Sequence, residues 1–289
     1  MFLLDGLRHS PEFLAFASLL LGLCVGSFLN VVAYRLPKML DRDWRRECRV
    51  LLELPAGPDA EPLTLLLPRS RCPSCSVPIK AWHNVPVFGW LWLRGRCASC
   101  SAPIAVRYPL VELLCGVLSA LCAWRFGWSV QLGAALLLTW ALLALTLIDL
   151  DTMLLPDSIT LPLLWLGLLL SLRGVFVAPA AAIVGAAAGY LSLWLVYHAF
   201  RLLTGKEGMG YGDFKLLGAL GAWFGWQALP VLILLSSTIG ALVGLGLILL
   251  RGHDRNVPIP FGPYLAAAGW FTLMWGRDAV AFWLHFTVG

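Results

Sequence analysis

Charge is what this sequence has least of. Only 13% of its 289 residues are Asp, Glu, Lys or Arg, against 60% hydrophobic residues and a mean hydropathy of +0.81. No ordinary water-soluble domain has that balance, so the chain reads as an all-α polytopic membrane protein. Carboxylates thin out further along it: beyond Glu61 there are eight, namely Glu112, Asp149, Asp151, Asp157, Glu207, Asp213, Asp254 and Asp278. The first apolar run lacks both a basic n-region, since only Arg8 precedes it, and a small-residue cleavage site. That excludes a cleaved signal and predicts a retained anchor. A groove of interleaved basic and aromatic residues is missing too, so no nucleic-acid partner is expected.

What the chain has in quantity is apolar runs of about 20 residues, long enough to cross a hydrocarbon core roughly 30 Å thick. They are read at about residues 11–35, 109–127, 130–149, 158–177, 179–200, 214–231, 232–250 and 260–284, which predicts about eight transmembrane helices. Twelve of the 21 basic residues lie from Arg35 to Arg107, and Arg201, Lys206, Lys215, Arg251 and Arg255 flank later loops of the same side. The positive-inside rule then puts residues 36–108 in the cytoplasm and both termini outside. The expected division is a first helix at 1–35, a cytoplasmic domain at 36–108 and a seven-helix membrane domain at 109–289. Within the loop, residues 41–70 mix charge with Pro and Gly and predict a short amphipathic helix followed by irregular chain.

The same loop carries two C-x-x-C pairs, Cys72 with Cys75 and Cys97 with Cys100, separated by 21 residues. Each pair can present two thiolates from a tight knuckle, and two knuckles complete a tetrahedral Zn²⁺ site. Two disulfides or a redox pair would use the same residues, but a reducing compartment disfavours them. Four thiolates close the coordination sphere, so the zinc is expected to be structural. His83 is the one nearby substitute ligand and reads as an exposed or packing residue. Cys24, Cys48, Cys115 and Cys122 have no pair spacing.

An ionisable side chain in a membrane segment is costly enough to mark function by default. Asp149 falls at the cytoplasmic end of the third apolar run, with Asp151 and Asp157 just after it, and Asp213 falls at the cytoplasmic start of the sixth. Two helices thus bring carboxylates to one depth. Such a pair can share a proton, one member activating water while the other polarises a scissile carbonyl. The glycines at 208, 210 and 212 would admit close backbone approach or positive φ beside Asp213. The plainer readings are that Asp213 caps its helix, Asp149 is a solvated helix end, and Glu112 pairs with an arginine. The residues themselves leave Asp149 and Asp151 as alternatives.

Six blocks then stand in order: "GSFLNVVAYRLP" (26–37), the two cysteine pairs, "RYPLVELL" (107–114), "IDLDTMLLPD" (148–157), "GMGYGDFKLLGALGAW" (208–223) and "PIPFGPYLA" (258–266). In this the chain resembles the type IV prepilin peptidases, the bifunctional leader peptidases and N-methyltransferases of type IV pilus and type II secretion systems. The resemblance implies an aspartyl protease of the G-x-G-D class in the bacterial inner membrane, with Asp149 and Asp213 as its catalytic pair. It implies cleavage of the basic leader of prepilins and pseudopilins after a Gly at the cytoplasmic face. It further implies methylation of the new N-terminus from S-adenosylmethionine, for which no pattern in the residues speaks independently. Methyl-donor contacts are expected in the loop around Gly95. The family's tetracysteine block falls on Cys72, Cys75, Cys97 and Cys100.

Overall fold

A computed structural model of the chain describes residues 10–55, 63–206, 208–251 and 259–288. Among them every regular element is helical, apart from two isolated bridges in the cysteine region. Among the described residues five helices are long and apolar enough to cross a membrane: Pro11–Leu51, Arg107–Phe126, Val130–Thr152, Pro179–Thr204 and Trp226–Leu249. The chain's contacts divide it into two compact units, Met1–Trp128 and Ser129–Gly289.

The first unit is built on α1 (Pro11–Leu51) and α3 (Arg107–Phe126), with the cysteine region and the short α2 (Phe88–Trp92) between them in sequence. Helix α1 starts under a Ser10 cap, whose side chain accepts from the Phe13 amide, with Pro11 in its first turn. It differs from expectation at its far end, where it does not stop at 35 but runs through Pro37 to Leu51. The expected amphipathic helix is this continuation. Pro37 removes one backbone hydrogen bond, but no Gly or Pro follows until Pro55. Asp41 and Arg45 pair one turn apart at 2.9 Å along the exposed stretch.

Helices α1 and α3 meet through small residues. A Cβ on Gly22 would lie 2.8 Å from Gly116 Cα, and one on Gly26 would lie 2.7 Å from Glu112 Cα. This is the small-xxx-small contact by which apolar helices associate when water supplies no driving force. Where α1 leaves the apolar region, buried Arg35 donates to the carbonyls of Thr64 at 3.0 Å and Pro68 at 2.6 Å, fixing the chain ahead of the first cysteine pair.

The second unit holds α4 (Val130–Thr152), α5 (Asp157–Ser171), α6 (Pro179–Thr204), α7 (Tyr211–Phe224), α8 (Leu229–Arg251) and α9 (Gly262–Val288). Its core is α7, where Phe214, Leu216, Leu217, Leu220 and Trp223 are almost wholly buried by α5, α6 and α9. The expected sixth run did not divide at 231. Gly225, at φ +78°, ends α7 with Phe224, and a short 3-10 turn at Trp226–Ala228 leads into α8. Apolarity continues across that break, so hydropathy alone could not locate it; the positive φ is glycine's. Helices α5 and α7, of 15 and 14 residues, are each shorter than the roughly 30 Å hydrocarbon core at about 1.5 Å per residue.

The seam between α6 and α7 repeats the small-residue device. Gly185 packs on the Gly221 backbone, and a Cβ on Gly189 would lie 2.7 Å from the Leu217 carbonyl oxygen. The small residues of "AAAIVGAAAGY" in α6 thus permit close helix packing. Trp223 Nε1 donates to the Leu163 carbonyl at 2.8 Å and ties α7 to α5. Replacing Gly22 or Gly189 by Leu should destabilise its own seam by about 1–3 kcal/mol. A thermal unfolding scan in detergent checks this: the expected result is a clear fall in midpoint for each, and an unchanged midpoint would contradict the packing described.

Candidate active site

Both expected catalytic aspartates lie in the second unit, and both are buried, at 4% exposed for Asp149 and 7% for Asp213. Asp149 sits in the last turn of α4, which ends because Met153 adopts left-handed backbone (φ 54°, ψ 34°) and donates to the Asp149 carbonyl. Asp149 is therefore no solvated helix end. Asp151, two residues on, is exposed, which is what helical geometry requires when its neighbour faces inward.

Asp213 stands at the third position of α7. The N-cap is Gly210, which offers no side chain, so Asp213 is not the cap residue. One of its oxygens turns back towards Gly210, as a third-position carboxylate does in a capping box. Its Oδ1 is buried with no hydrogen-bond partner. Asp149 and Asp213 are close enough to interact electrostatically. A buried, unpaired carboxylate oxygen beside a second carboxylate suits a shared proton and a polar guest such as water or a peptide carbonyl.

The glycines beside Asp213 serve differently from expectation. None of the three has positive φ; Gly210 is at φ −81°. Gly212 and Gly208 are tight instead: a Cβ would lie 2.7 Å from Leu155 Cβ at 212 and 2.9 Å from the Phe200 ring at 208. Close approach, the other half of the reading, is what these two use. Near them Lys215 Nζ meets both oxygens of Asp157 at 2.7 Å, joining the start of α5 to the second turn of α7.

Residue reasoning missed a third participant. The Gly262 amide, at the start of α9, donates to Asp149 Oδ2 at 3.0 Å in a buried hydrogen bond. A Cβ at Gly262 would stand 2.6 Å from that same oxygen and 3.0 Å from Leu155 Cδ2. The signal was available in "PIPFGPYLA", a glycine between aromatic and proline residues at the start of an apolar run. Among the other carboxylates, Glu112 pairs with no arginine of the described residues but accepts from the Val87 amide at 2.7 Å, and Asp278 is exposed. Glu207 and Asp254 lie outside the described residues.

In the first unit the four expected ligands converge. The sulfurs of Cys72, Cys75, Cys97 and Cys100 lie within 4.8 Å of one another, with Cys72 and Cys100 at 3.8 Å, and none forms a disulfide. A Zn–S bond of about 2.3 Å gives tetrahedral sulfur separations of about 3.8 Å, so the set fits zinc. The two knuckles match. Ser76 and Ser101 take positive φ, their amides donate to the carbonyls of Cys72 and Cys97, and bridges pair Arg71 with Pro78 and Arg96 with Pro103. His83 is not in the group. Gly95, at φ +69°, lies against the Trp90 ring and exchanges backbone hydrogen bonds with Trp90 and Ile104.

The amides of Cys75 and then Ser74 hold the Cys72 thiol down to about 6, and those of Cys100 and Ser99 lower Cys97. For Cys100 the Ala102 amide favours the thiolate, but desolvation and the other three sulfurs outweigh it and push the thiol up to about 12. The amides around Cys72 and Cys97 thus favour thiolate there, the form in which a divalent cation binds sulfur.

Two buried carboxylates on separate apolar helices and a separate four-thiolate group define a membrane-helical protein equipped for acid–base hydrolysis. The comparisons agree with that class. Residues 20–126 match the bacterial Peptidase A24 N-terminal domain, and residues 136–245 match the type IV leader peptidase family. A protein named prepilin leader peptidase/N-methyltransferase in Aeromonas hydrophila is 58% identical, with 98% of each chain covered. Proteins of the same name are 56% identical in Stutzerimonas stutzeri, over 97% of each chain, and 54% identical in Pseudomonas aeruginosa, over 98% of each. No solved structure shows significant similarity to the chain. The chain belongs to the type IV leader peptidase family.

Metal analysis tests the thiolate group. Purified protein should hold about one zinc per chain, lost on replacing Cys72 or Cys97 by Ser. After chelation, iodoacetamide at pH 7 should label Cys72 well before Cys100, as read by mass spectrometry. Equal labelling, or fully folded, active protein free of metal, would contradict the assignment.

Proposed function

We propose that this protein is a membrane-embedded prepilin leader peptidase and N-methyltransferase. It hydrolyses the bond after the Gly that ends the basic leader of prepilins and pseudopilins, and methylates the new N-terminal amine. The observation that carries the reading is the buried pair Asp149 and Asp213, brought together from α4 and α7 in a chain whose relatives of that name match it end to end.

The catalytic pair works in this reading as general base and general acid. The Gly262 amide, bonded to its Oδ2, orients the Asp149 carboxylate, which takes a proton from water. The resulting oxygen attacks the scissile carbonyl carbon while Asp213 donates a proton to the carbonyl oxygen. Collapse of the tetrahedral adduct breaks the C–N bond: the proton held by Asp149 passes to the leaving amine, one hydroxyl of the adduct returns its proton to Asp213, and the pair is restored. No metal and no covalent intermediate is required.

The remaining assignments follow from charge and composition. The apolar runs make eight transmembrane segments, the shorter α5 and α7 being held within the bundle, and the distribution of Lys and Arg sets residues 36–108 and the aspartate pair at the cytoplasmic face with both termini periplasmic. In domain terms the chain divides into a first transmembrane helix at 1–35, a tetracysteine domain at 36–108 and the membrane domain carrying the protease site at 109–289. In the inner membrane this lets a prepilin's apolar segment lie in the bilayer while its basic leader stays in the cytoplasm. Cys72, Cys75, Cys97 and Cys100 would hold one zinc, which closes its own coordination sphere and braces the loop.

S-adenosylmethionine supplies the methyl group. We assign its contacts to the loop around Gly95, where an open depression of about 520 Å³ is lined by Leu93, Ala98 and Ser101 among others. Gly95 uses both backbone groups internally, so Ala98 and Ser101 make those contacts.

The test is cleavage of a prepilin in detergent or lipid, with the product N-terminus read by mass spectrometry. Wild type should cut after Gly and add a methyl group when the donor is present. Asp149→Asn and Asp213→Asn should each lose activity by at least about 10²-fold, while Asp151→Asn keeps most of it. Gly262→Ala should fall by about tenfold or more with both aspartates intact, because the methyl group displaces Asp149. Substantial processing by Asp149→Asn would move the base to Asp151, and cleavage surviving both replacements would move the chemistry elsewhere.

A further inference from the structure

One surface of the first unit is used by neither the peptidase site nor the thiolate group. The short helix α2 reads "FGWLW", and its two faces differ. Trp90 turns inward, where its Nε1 donates to the Ile104 carbonyl at 3.1 Å. Phe88, Leu91 and Trp92, spaced i, i+3, i+4, turn outward and are 65%, 55% and 85% exposed. Such an apolar face needs an occupant.

The charge around it selects one. Between Glu61 and Glu112 the sequence has six Lys and Arg and no Asp or Glu. Arg94 and Arg96 follow the helix directly, and Lys80 lies over the Trp82 ring at 5.4 Å. A basic prepilin leader is repelled by that surface. An anionic lipid headgroup layer is attracted to it, and aromatic side chains flanked by cations are the usual composition of an interfacial anchor.

The position of α2 is fixed independently. The Val87 amide, immediately before the helix, donates at 2.7 Å to Glu112, a residue more than one turn inside the apolar helix α3 and only 8% exposed. Asn30, within the apolar part of α1, donates to the Tyr108 carbonyl at 3.2 Å, so the first turn of α3 is level with that apolar stretch. The start of α2 is therefore held at the edge of the apolar region and not above it. The hold carries strain: Val87 sits at φ 61°, ψ −52°, and the Phe88 amide bonds the Pro86 carbonyl at 2.6 Å in a γ-turn of the rare positive-φ kind. A β-branched residue is kept there only when its surroundings dictate it.

We infer that Phe88, Leu91 and Trp92 insert into the headgroup boundary of the anionic leaflet, with Lys80 and Arg94 on its phosphates, and that Glu112 is the positioning residue that sets this depth. The inference rests on α1 and α3 spanning the bilayer, so its test carries a control for that reading. The photoreactive residue p-benzoylphenylalanine is placed at position 92 of the full-length protein in vesicles of mixed phosphatidylglycerol and phosphatidylcholine. Position 16, exposed on α1, is the spanning control, and position 46, far beyond the apolar part of α1, is the aqueous control.

Irradiation should attach lipid at 92 and 16 and not at 46, with phosphatidylglycerol favoured at 92. Replacing Lys80 and Arg94 by Gln should reduce that preference by about fivefold per charge, and Glu112→Gln, which keeps the size but weakens the acceptor, should lower lipid attachment at 92 while leaving 16 unchanged. Lipid at 16 with none at 92, or attachment at 92 to protein, overturns the anchor. Absence of lipid at 16 overturns the spanning assignment instead. A preference that survives loss of both cations overturns the phosphate contacts.

Discussion

Burying two carboxylates at the end of apolar helices constrains everything around them. Neither can be left to water, and neither could be neutralised by a neighbouring cation and still serve in the acid–base role proposed for it. The second unit meets this with backbone in place of charge. A left-handed Met153 ends α4 just past Asp149, the Gly262 amide supplies its hydrogen bond, and Gly210 leaves room at the start of α7 for Asp213 to turn back upon it. Side-chain cations stay at a distance: Lys215, the nearest in sequence, is occupied by Asp157. Asp213 Oδ1, buried without a hydrogen-bond partner, is where substrate or water would supply the missing contact.

Holding those atoms requires a rigid frame, and in lipid the usual source of rigidity, expulsion of water from between helices, is unavailable. Both units answer with glycine seams, Gly22 and Gly26 against Gly116 and Glu112 in one, Gly185 and Gly189 against α7 in the other. Helix α7 illustrates the return on this packing. It is too short to span alone, yet its side chains from Phe214 to Trp223, Lys215 apart, are buried by α5, α6 and α9, so the element bearing Asp213 is among the most enclosed of those described.

Much of this could be read in the sequence, for identifiable reasons. Cysteine pairs declare themselves because a metal demands four ligands at fixed spacing, and the four sulfurs converge as that spacing requires. Aspartates within apolar runs are conspicuous because hydrophobic surroundings make them rare. What resisted reading depends on contacts between distant residues. A helix was legible in the charged stretch after residue 40, but its unbroken junction with α1 across Pro37 was not, because proline ordinarily ends a helix. The break at Gly225 lies inside unbroken apolarity. Gly262 and Glu112 act through backbone amides, Gly262 as a donor and Glu112 as an acceptor from Val87, and no residue-type pattern reports which amide a chain will bring to a carboxylate.

The central claim is that Asp149 and Asp213 act as one unit. The most direct test is the turnover number of the double variant Asp149→Asn/Asp213→Asn set against those of the two single variants on the same prepilin. Groups that carry one proton transfer together are strongly non-additive, so the account predicts that the double variant is no slower than the worse single one. Losses that multiply would show two independent contributions and contradict a shared acid–base pair.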